Sequence, residues 1–430
     1  MPRPVRASLG AGLRPVIQRQ QTALPACAFA LMATHEIAKT GPETALWATP
    51  LILLAAMMIA WAAESAQFFV AQGFALAILA WLQTLPEFAV EAVLAWRQQV
   101  PLLMANLTGA LRLLTGLGWP MIYVTAAFFH RIKYRRPLKS IHLEDEHCIE
   151  VIGLLVPLLY VIVIWWKATL TIFDGMILVL IYAAYLAILS RMPAEEHEGI
   201  EGLDRIPKAV VQSPPARRNL LIGLLFLGGG ALIYFAAEPF LGSLLAVAGL
   251  LGISDFVFVQ WVAPFVSEFP EKVSAFYWAK TIDRAPMALM NMVSSNINQW
   301  TLLTAMLPIV FSISAGQVAS IPLDEQQRLE LLMTIGQSLV GMIFLVNMEL
   351  VWWEAAILFG LWVAQFGFSP VRPGPSLVGT IAAHIHYWVT IAYFAWFAVE
   401  AIRTVVQWRN PAAFRLFARA WRTHIRRRAV

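Results

Sequence analysis

The chain is 430 residues long, 59% apolar and 13% charged, with a formal charge of +5 and a mean hydropathy of +0.67. Soluble domains are about 45–50% apolar and about 25% charged. Water-soluble classes are therefore excluded, and an all-α polytopic membrane protein is expected. Cys27 and Cys148, the two cysteines, supply neither a disulfide framework nor a thiolate metal site.

A bilayer core takes roughly 20 apolar residues per helix. In chain order, residues 1–44 form an N-terminal segment, in which Ala23–Thr34 is an extra span, an interfacial helix or part of a targeting segment. Spans follow near 45–67, 68–96, 101–128, 149–166 and 169–190. After the polar linker 191–218, further spans lie near 219–237, 240–279, 286–312, 329–347 and 349–367, then 378–402. The stretch 240–279 is too long for one straight crossing, so it must tilt, break or extend beyond the bilayer. The domains expected are a first membrane repeat at 45–190, the linker, a second repeat at 219–367, an extra span within 368–402 and a basic tail at 403–430.

Lys and Arg concentrate on one side of this arrangement: Arg131, Lys133, Arg135, Arg136 and Lys139, then Arg191, Arg205, Lys208, Arg217 and Arg218, then Lys280 and Arg284. The positive-inside rule makes that side cytoplasmic. The tail "FRLFARAWRTHIRRR" reads as an amphipathic helix on anionic lipid, and beside a membrane domain no nucleic-acid partner is expected. Glu195, Glu196, His197, Glu198 and Asp204 in the linker read as a solvated charged loop, without an EF-hand pattern. The sequence specifies no oligomeric state.

One unusual stretch occurs twice. "LPEFAVEAVLAWRQQVPLLMANLTG" (85–109) matches "FPEKVSAFYWAKTIDRAPMALMNMVS" (269–294). Pro86-Glu87 aligns with Pro270-Glu271, Pro101 with Pro286, and Asn106 with Asn291. Five spans separate the copies, and an odd offset reverses the second in the membrane. Such inverted repeats are common in secondary transporters. Proline removes a backbone hydrogen bond and frees carbonyls to line a cavity. A pseudo-two-fold axis would bring Glu87 and Glu271 together, and two close carboxylates repel unless a cation or proton lies between them. Calcium takes six to eight oxygen ligands at flexible distances. Asn106, Asn291, Thr84, Ser267 and Gln299 can add neutral oxygens. Soft sulfur ligands are absent.

These residues resemble the sodium/calcium exchangers of the calcium/cation antiporter superfamily, whose two inverted repeats carry G-T-S-x-P-E and then G-N-x-x-G-S-N-x-x-[ND]. The corresponding stretches here are "LQTLPE" (82–87) with "ANLTGALRLL" (105–114), and "VSEFPE" (266–271) with "MNMVSSNINQ" (290–299). The resemblance implies two inverted five-helix repeats, about ten core helices plus one or two extra, and cation antiport. It makes Glu87 and Glu271 the metal ligands. Thr84, Ser267 and Glu268 take the hydroxyl positions, and Ser295 and Gln299 the later ligand positions. The first-repeat equivalents, Ala110 and Leu114, cannot ligate. Gln299 stands where an acid is usual, and Glu268 is an acid where a hydroxyl is expected.

The functional expectation is a secondary active cation antiporter in the cell membrane, exchanging calcium for sodium. The alternatives are proton coupling, with Glu268 in place of sodium sites, and a degenerate exchanger-like scaffold, motivated by Ala110 and Leu114. Its partners are inorganic cations and membrane lipids. No cofactor is expected, because calcium is cargo and sodium or protons are the coupling ion. No HExxH, Ser/His nucleophile or phosphate loop suggests an enzyme. Glu268 can pair with Lys272 on the same helical face. Glu91 either lines the pathway or faces headgroups. His384 and His386, two residues apart, point to opposite sides of a helix and are expected to pack rather than chelate. Asp255 reads as an interfacial residue or helix cap, and Glu349 and Glu354 as a solvated turn.

Overall fold

The computed structural model describes residues 40–69, 81–192, 203, 205–406 and 410–426. Ala23–Thr34, Cys27, the linker acids Glu195, Glu196, Glu198 and Asp204, and His197 lie outside the described residues.

The first repeat contains α1 (Ala45–Ala66), α2 (Leu85–Trp96), α3 (Val100–Leu113), α4 (Trp119–Tyr134), β1 (Ser140–His142), α5 (Cys148–Lys167), β2 (Thr169–Leu170) and α6 (Ile172–Leu189). A short α7 (Arg205–Val211) precedes the second repeat. That repeat contains α8 (Pro215–Leu251), α9 (Asp255–Ser267), α10 (Phe269–Lys280), α11 (Ala285–Asn298), α12 (Thr304–Ala315), β3 (Ile321–Pro322), α13 (Glu325–Leu345), β4 (Glu349–Val351) and α14 (Trp352–Phe368). The chain continues in α15 (Leu377–Val405) and α16 (Ala412–Ala420).

Eight helices among the described residues are long and apolar enough to cross a membrane. The other expected crossings are shorter pieces. One is α2; another is split into α9 and α10; the third is the 17-residue α14. The expected boundary near 237–240 is corrected. Pro239 lies inside α8, which runs unbroken for 37 residues, because a bilayer helix tolerates proline where neighbours re-satisfy its backbone. That helix ends at Gly252, whose φ of 66° forms a left-handed cap, a conformation glycine adopts without a Cβ clash. Ser254 then caps α9 by accepting from Val257 N, with Asp255 in the first turn. Glu354 is also corrected: it is buried, and its carboxylate accepts from Val351 N at 2.9 Å.

The inverted duplication reaches the backbone dihedrals. Left-handed residues fall at matching repeat positions: Gln98 with Ile282, Arg135 with Gly316, and Ala168 with Met348. Non-glycine residues pay for that conformation, at roughly 1–2 kcal/mol each, so its recurrence marks a constraint of the fold. A π-helical turn interrupts each long helix at equivalent places, Leu114–Gly118 after α3 and Gln299–Leu303 after α11. The short strands obey the same symmetry: β1 pairs with β4 and β2 with β3, both antiparallel. Each pair clasps one repeat to the other. The tail helix α16 packs against α5, buries Ala413 and exposes Phe414.

Candidate ion-binding site

Both Pro-Glu motifs sit where a helix is interrupted at a single residue. The first interruption is Thr84, at φ −84° and ψ −3°; the second is Glu268, at φ −93° and ψ 3°. Leu-Pro-Glu or Phe-Pro-Glu opens the next helix, with proline in its first turn, where its missing N–H costs little. Pro86 has no N–H for Leu82's carbonyl, nor Pro270 for Val266's, and the helix turns there. The next helical bonds are alike, Phe88 N to Thr84 O at 3.1 Å and Lys272 N to Glu268 O at 3.2 Å. Glu87 and Glu271 thus occupy equivalent places one turn into the broken helices, both buried.

Near the two breaks, three side chains of the second repeat reach across to the first. Asn291 Nδ2 donates to Gln83 Oε1 at 3.1 Å. Asn298 Nδ2 donates to Thr84 Oγ1 at 2.5 Å. Gln299 Nε2 donates to Glu87 Oε2 at 2.6 Å and also to Glu268 Oε1 at 2.8 Å. Glu268 is held from its other oxygen by Lys272 Nζ at 2.5 Å, the pairing expected from their spacing. Glu87 lies within electrostatic reach of Glu268, Glu91, Glu271 and Lys272.

Many oxygens around these groups are buried without a hydrogen-bond partner. They are Glu87 Oε1, both oxygens of Glu271, Asn106 Oδ1, Asn291 Oδ1, Ser295 Oγ, Asn298 Oδ1 and Gln299 Oε1. Burying a polar group unpaired costs about 1–3 kcal/mol, and a set of buried oxygens rich in carboxylate and amide carbonyl acceptors is what a hard cation satisfies. Among the described residues, no three His, Cys, Asp or Glu side chains converge as ligands of one ion. A cation between Glu87 and Glu271 would complete its shell with amide, hydroxyl, backbone and water oxygens.

The remaining predicted residues are placed as follows. Ser267 is buried and donates to Pro264 O at 3.4 Å. Thr84 donates to Trp81 O at 2.9 Å while accepting from Asn298. Asn106 turns its amide to Glu91 Oε1 at 2.9 Å, within its own repeat. Glu91 is therefore buried in the protein interior rather than among headgroups. Ala110 and Leu114 are buried apolar positions opposite Ser295 and Gln299 in the symmetry, so the site's oxygens come mainly from the second repeat.

Sequence reasoning missed several polar residues. Asn298 and Gln83 bridge the repeats, and Ser274 Oγ donates to Glu64 Oε1 of α1 at 2.6 Å. A separate buried cluster joins Arg112, Gln260, Glu330 and Gln365 to His386. Arg112 and Glu330 are charged residues within apolar helices, and that was the available signal. His384, by contrast, is exposed and stacks on Trp388.

Among solved structures, the chain is similar to one titled "Crystal Structure of H+/Ca2+ Exchanger CAX", at 29% identity, with a TM-score of 0.78 over 96% of this chain and 97% of that one. It also shares the fold of the sodium-calcium exchanger NCX_Mj, at 18% identity and a TM-score of 0.51, over 77% of this chain and 98% of that one. No curated protein matches. The family described as "Sodium/calcium exchanger protein" matches residues 44–191 and again residues 221–369. The duplicated match, the paired helix breaks and the inverted clasps agree: the chain belongs to the sodium/calcium exchanger family.

Proposed function

We propose that this protein is a proton-coupled calcium antiporter of the cell membrane, with the basic loops inside. The observation that carries the reading is the set of buried oxygens without a hydrogen-bond partner on Glu87, Glu271 and the polar residues of the helices that follow them. Calcium suits that set because it accepts many oxygen ligands in irregular geometry. When calcium leaves, Glu87 and Glu271, within electrostatic reach of each other, repel unless protons replace it. Exchange of one divalent ion for protons follows from the same two side chains.

Sodium coupling would call for further neutral-oxygen sites. The first repeat has Ala110 and Leu114 at two of the positions concerned, and Lys272 already occupies Glu268. The similarity to a protein titled H+/Ca2+ exchanger supports proton coupling too. Access would alternate as one repeat rocks against the other, and the bonds from Asn291, Asn298 and Gln299 to the first repeat would then break and re-form.

Flux into proteoliposomes tests this, with calcium, sodium and pH gradients imposed one at a time. A pH gradient should drive calcium movement without sodium. Calcium movement that needs a sodium gradient and ignores pH would refute proton coupling. Orientation is tested by Lys208→Cys: an impermeant thiol reagent should reach it only from inside, and labelling of intact cells would reverse the topology.

A further inference from the structure

The basic tail is docked on the membrane core. Ala413 N donates to Val346 O at 2.9 Å, and Ala413, Leu416, Phe417 and Ala420 turn toward the core. This face sets α16 against α5 and the turn before it, Asp145–His147, on the side that carries Arg135, Arg136 and Lys139. Helical spacing gives the rest of the surface two further stripes. Phe414, Ala418 and Trp421 are exposed apolar positions, and Arg415, Arg419 and Arg422 are exposed basic ones.

Phe417 also lines an apolar pocket of about 300 Å³ between α5 and α6. Ile149 and Val156 line it from α5, Leu180 and Ile188 from α6. Ile149 stands at the start of α5 and Ile188 at the end of α6. The pocket therefore begins at the membrane surface where the tail sits and runs about two helical turns inward. Val156 and Leu180 are exposed, so its inner part borders lipid. Tyr185, another lining residue, has its hydroxyl partnered by Ser294 Oγ at 3.2 Å. The ring of Phe417 lies 5.9 Å from that of Trp421, which links the pocket to the exposed apolar stripe of α16.

We propose that this corner is a binding site for one anionic phospholipid, with an acyl chain in the α5–α6 pocket beside Phe417 and the headgroup phosphate on the guanidiniums of α16. Two observations commit the site to that occupant. The pocket is walled by aliphatic and aromatic carbon at the depth of one leaflet, which suits a hydrocarbon chain and offers a polar ligand no partner. The helix beside it carries three exposed guanidiniums. Arg415 donates to Asn410 Oδ1 and Arg422 Nε to Ala418 O, and no carboxylate among the described residues pairs with Arg415, Arg419 or Arg422. Guanidinium forks match phosphate oxygens, and basic side chains at a membrane surface favour lipids of net negative charge. Trp421 stands where aromatic residues meet the headgroup level. The bound lipid joins the tail to both helices of the first repeat.

The site lies outside the ion pathway and is independent of the transported and coupling ions. Native mass spectrometry of the purified full chain tests it, with phosphatidylglycerol or phosphatidylcholine of identical acyl chains added to the detergent. The chain should retain one phosphatidylglycerol, at least about tenfold more often than phosphatidylcholine. Ala184 is an exposed lining residue of the pocket, so Ala184→Phe fills the space and should abolish retention of that lipid. Arg415→Gln, Arg419→Gln and Arg422→Gln together should bring phosphatidylglycerol down to the phosphatidylcholine level, since each basic side chain near the surface strengthens the attraction about fivefold. Equal retention of the two lipids by the wild type would overturn the proposal. So would unchanged phosphatidylglycerol retention in Ala184→Phe or, if that variant does not fold, in the arginine variant, which is altered only at exposed positions. A spectrum of paired chains without retained lipid would place a second copy of the chain on this surface and overturn it too.

Discussion

Gln299 Nε2 of the second repeat donates to Glu87 Oε2 of the first at 2.6 Å, and the same nitrogen reaches Glu268 Oε1 at 2.8 Å. One neutral amide thus separates two buried carboxylates from opposite repeats. Hydrogen bonds to charged groups are worth about 1.5–3 kcal/mol. Gln299→Ala should lower stability by about 2–3 kcal/mol without calcium. Saturating calcium should recover part of that loss by engaging the Glu87 carboxylate. Thermal unfolding with calcium and with chelator checks this. An equal loss in both conditions would place Gln299 outside the ion site.

Glu271 presents two buried oxygens with no hydrogen-bond partner, and Glu87 presents one. Glu271→Gln and Glu87→Gln keep the size and remove the charge. Each should reduce calcium flux to the level of empty vesicles while leaving the amount of folded protein in the membrane nearly unchanged. Flux persisting in the double variant would refute the site.

Arg112 and Glu330 pair at 2.7 Å with both side chains buried. Removing one partner of such a pair typically costs about 3–5 kcal/mol. His386 remains beside Glu330 in Arg112→Leu, so the loss should fall near the lower end, at about 3 kcal/mol. Arg112→Leu combined with Glu330→Leu should be more stable than Arg112→Leu alone, because no buried charge is stranded. A double variant less stable than the single would show that packing, rather than charge, sets the cost.

Gly109 of α3 meets the backbone carbonyl of Gln260 on α9, and a Cβ built on Gly109 would collide with that oxygen. The carbonyl cannot rotate away as a side-chain tip could. Gly109→Ala should therefore push α9 outward, at about 1–3 kcal/mol of overpacking. It should also reduce calcium flux, because α9 ends at Ser267 beside Glu268. Thermal unfolding and flux measured together check this, and a variant with unchanged flux would uncouple the α3–α9 contact from the site.

Much of the architecture was legible because it is written in local signals. Apolar length announces a spanning helix, and proline beside glutamate within one announces a break that holds a charge. The recurrence of that pair at an odd span offset established the inversion, and the i, i+4 spacing of Glu268 and Lys272 announced their ion pair. Helix ends were less legible. The spans expected near 219–237 and 240–279 left a boundary between them, yet α8 runs through it with Pro239 inside, since the cost of a proline depends on which neighbours satisfy the freed carbonyl.

The tertiary structure alone decided who meets whom. Nothing local to Asn298 says that it binds Thr84, or that Gln299 faces Glu87, because those partners are brought together by packing two repeats in opposite directions. His386 shows the same limit. Its helix could be read from hydropathy and its separation from His384 from helical geometry, but Glu330 comes from another helix. The sequence by itself determined the membrane class and the duplicated core, and it singled out the buried oxygen-bearing residues proposed as cation ligands, since those depend on short-range chemistry. Packing decided the contacts between repeats and the buried charge cluster, since a side chain's partner across the bundle depends on the placement of every helix between them.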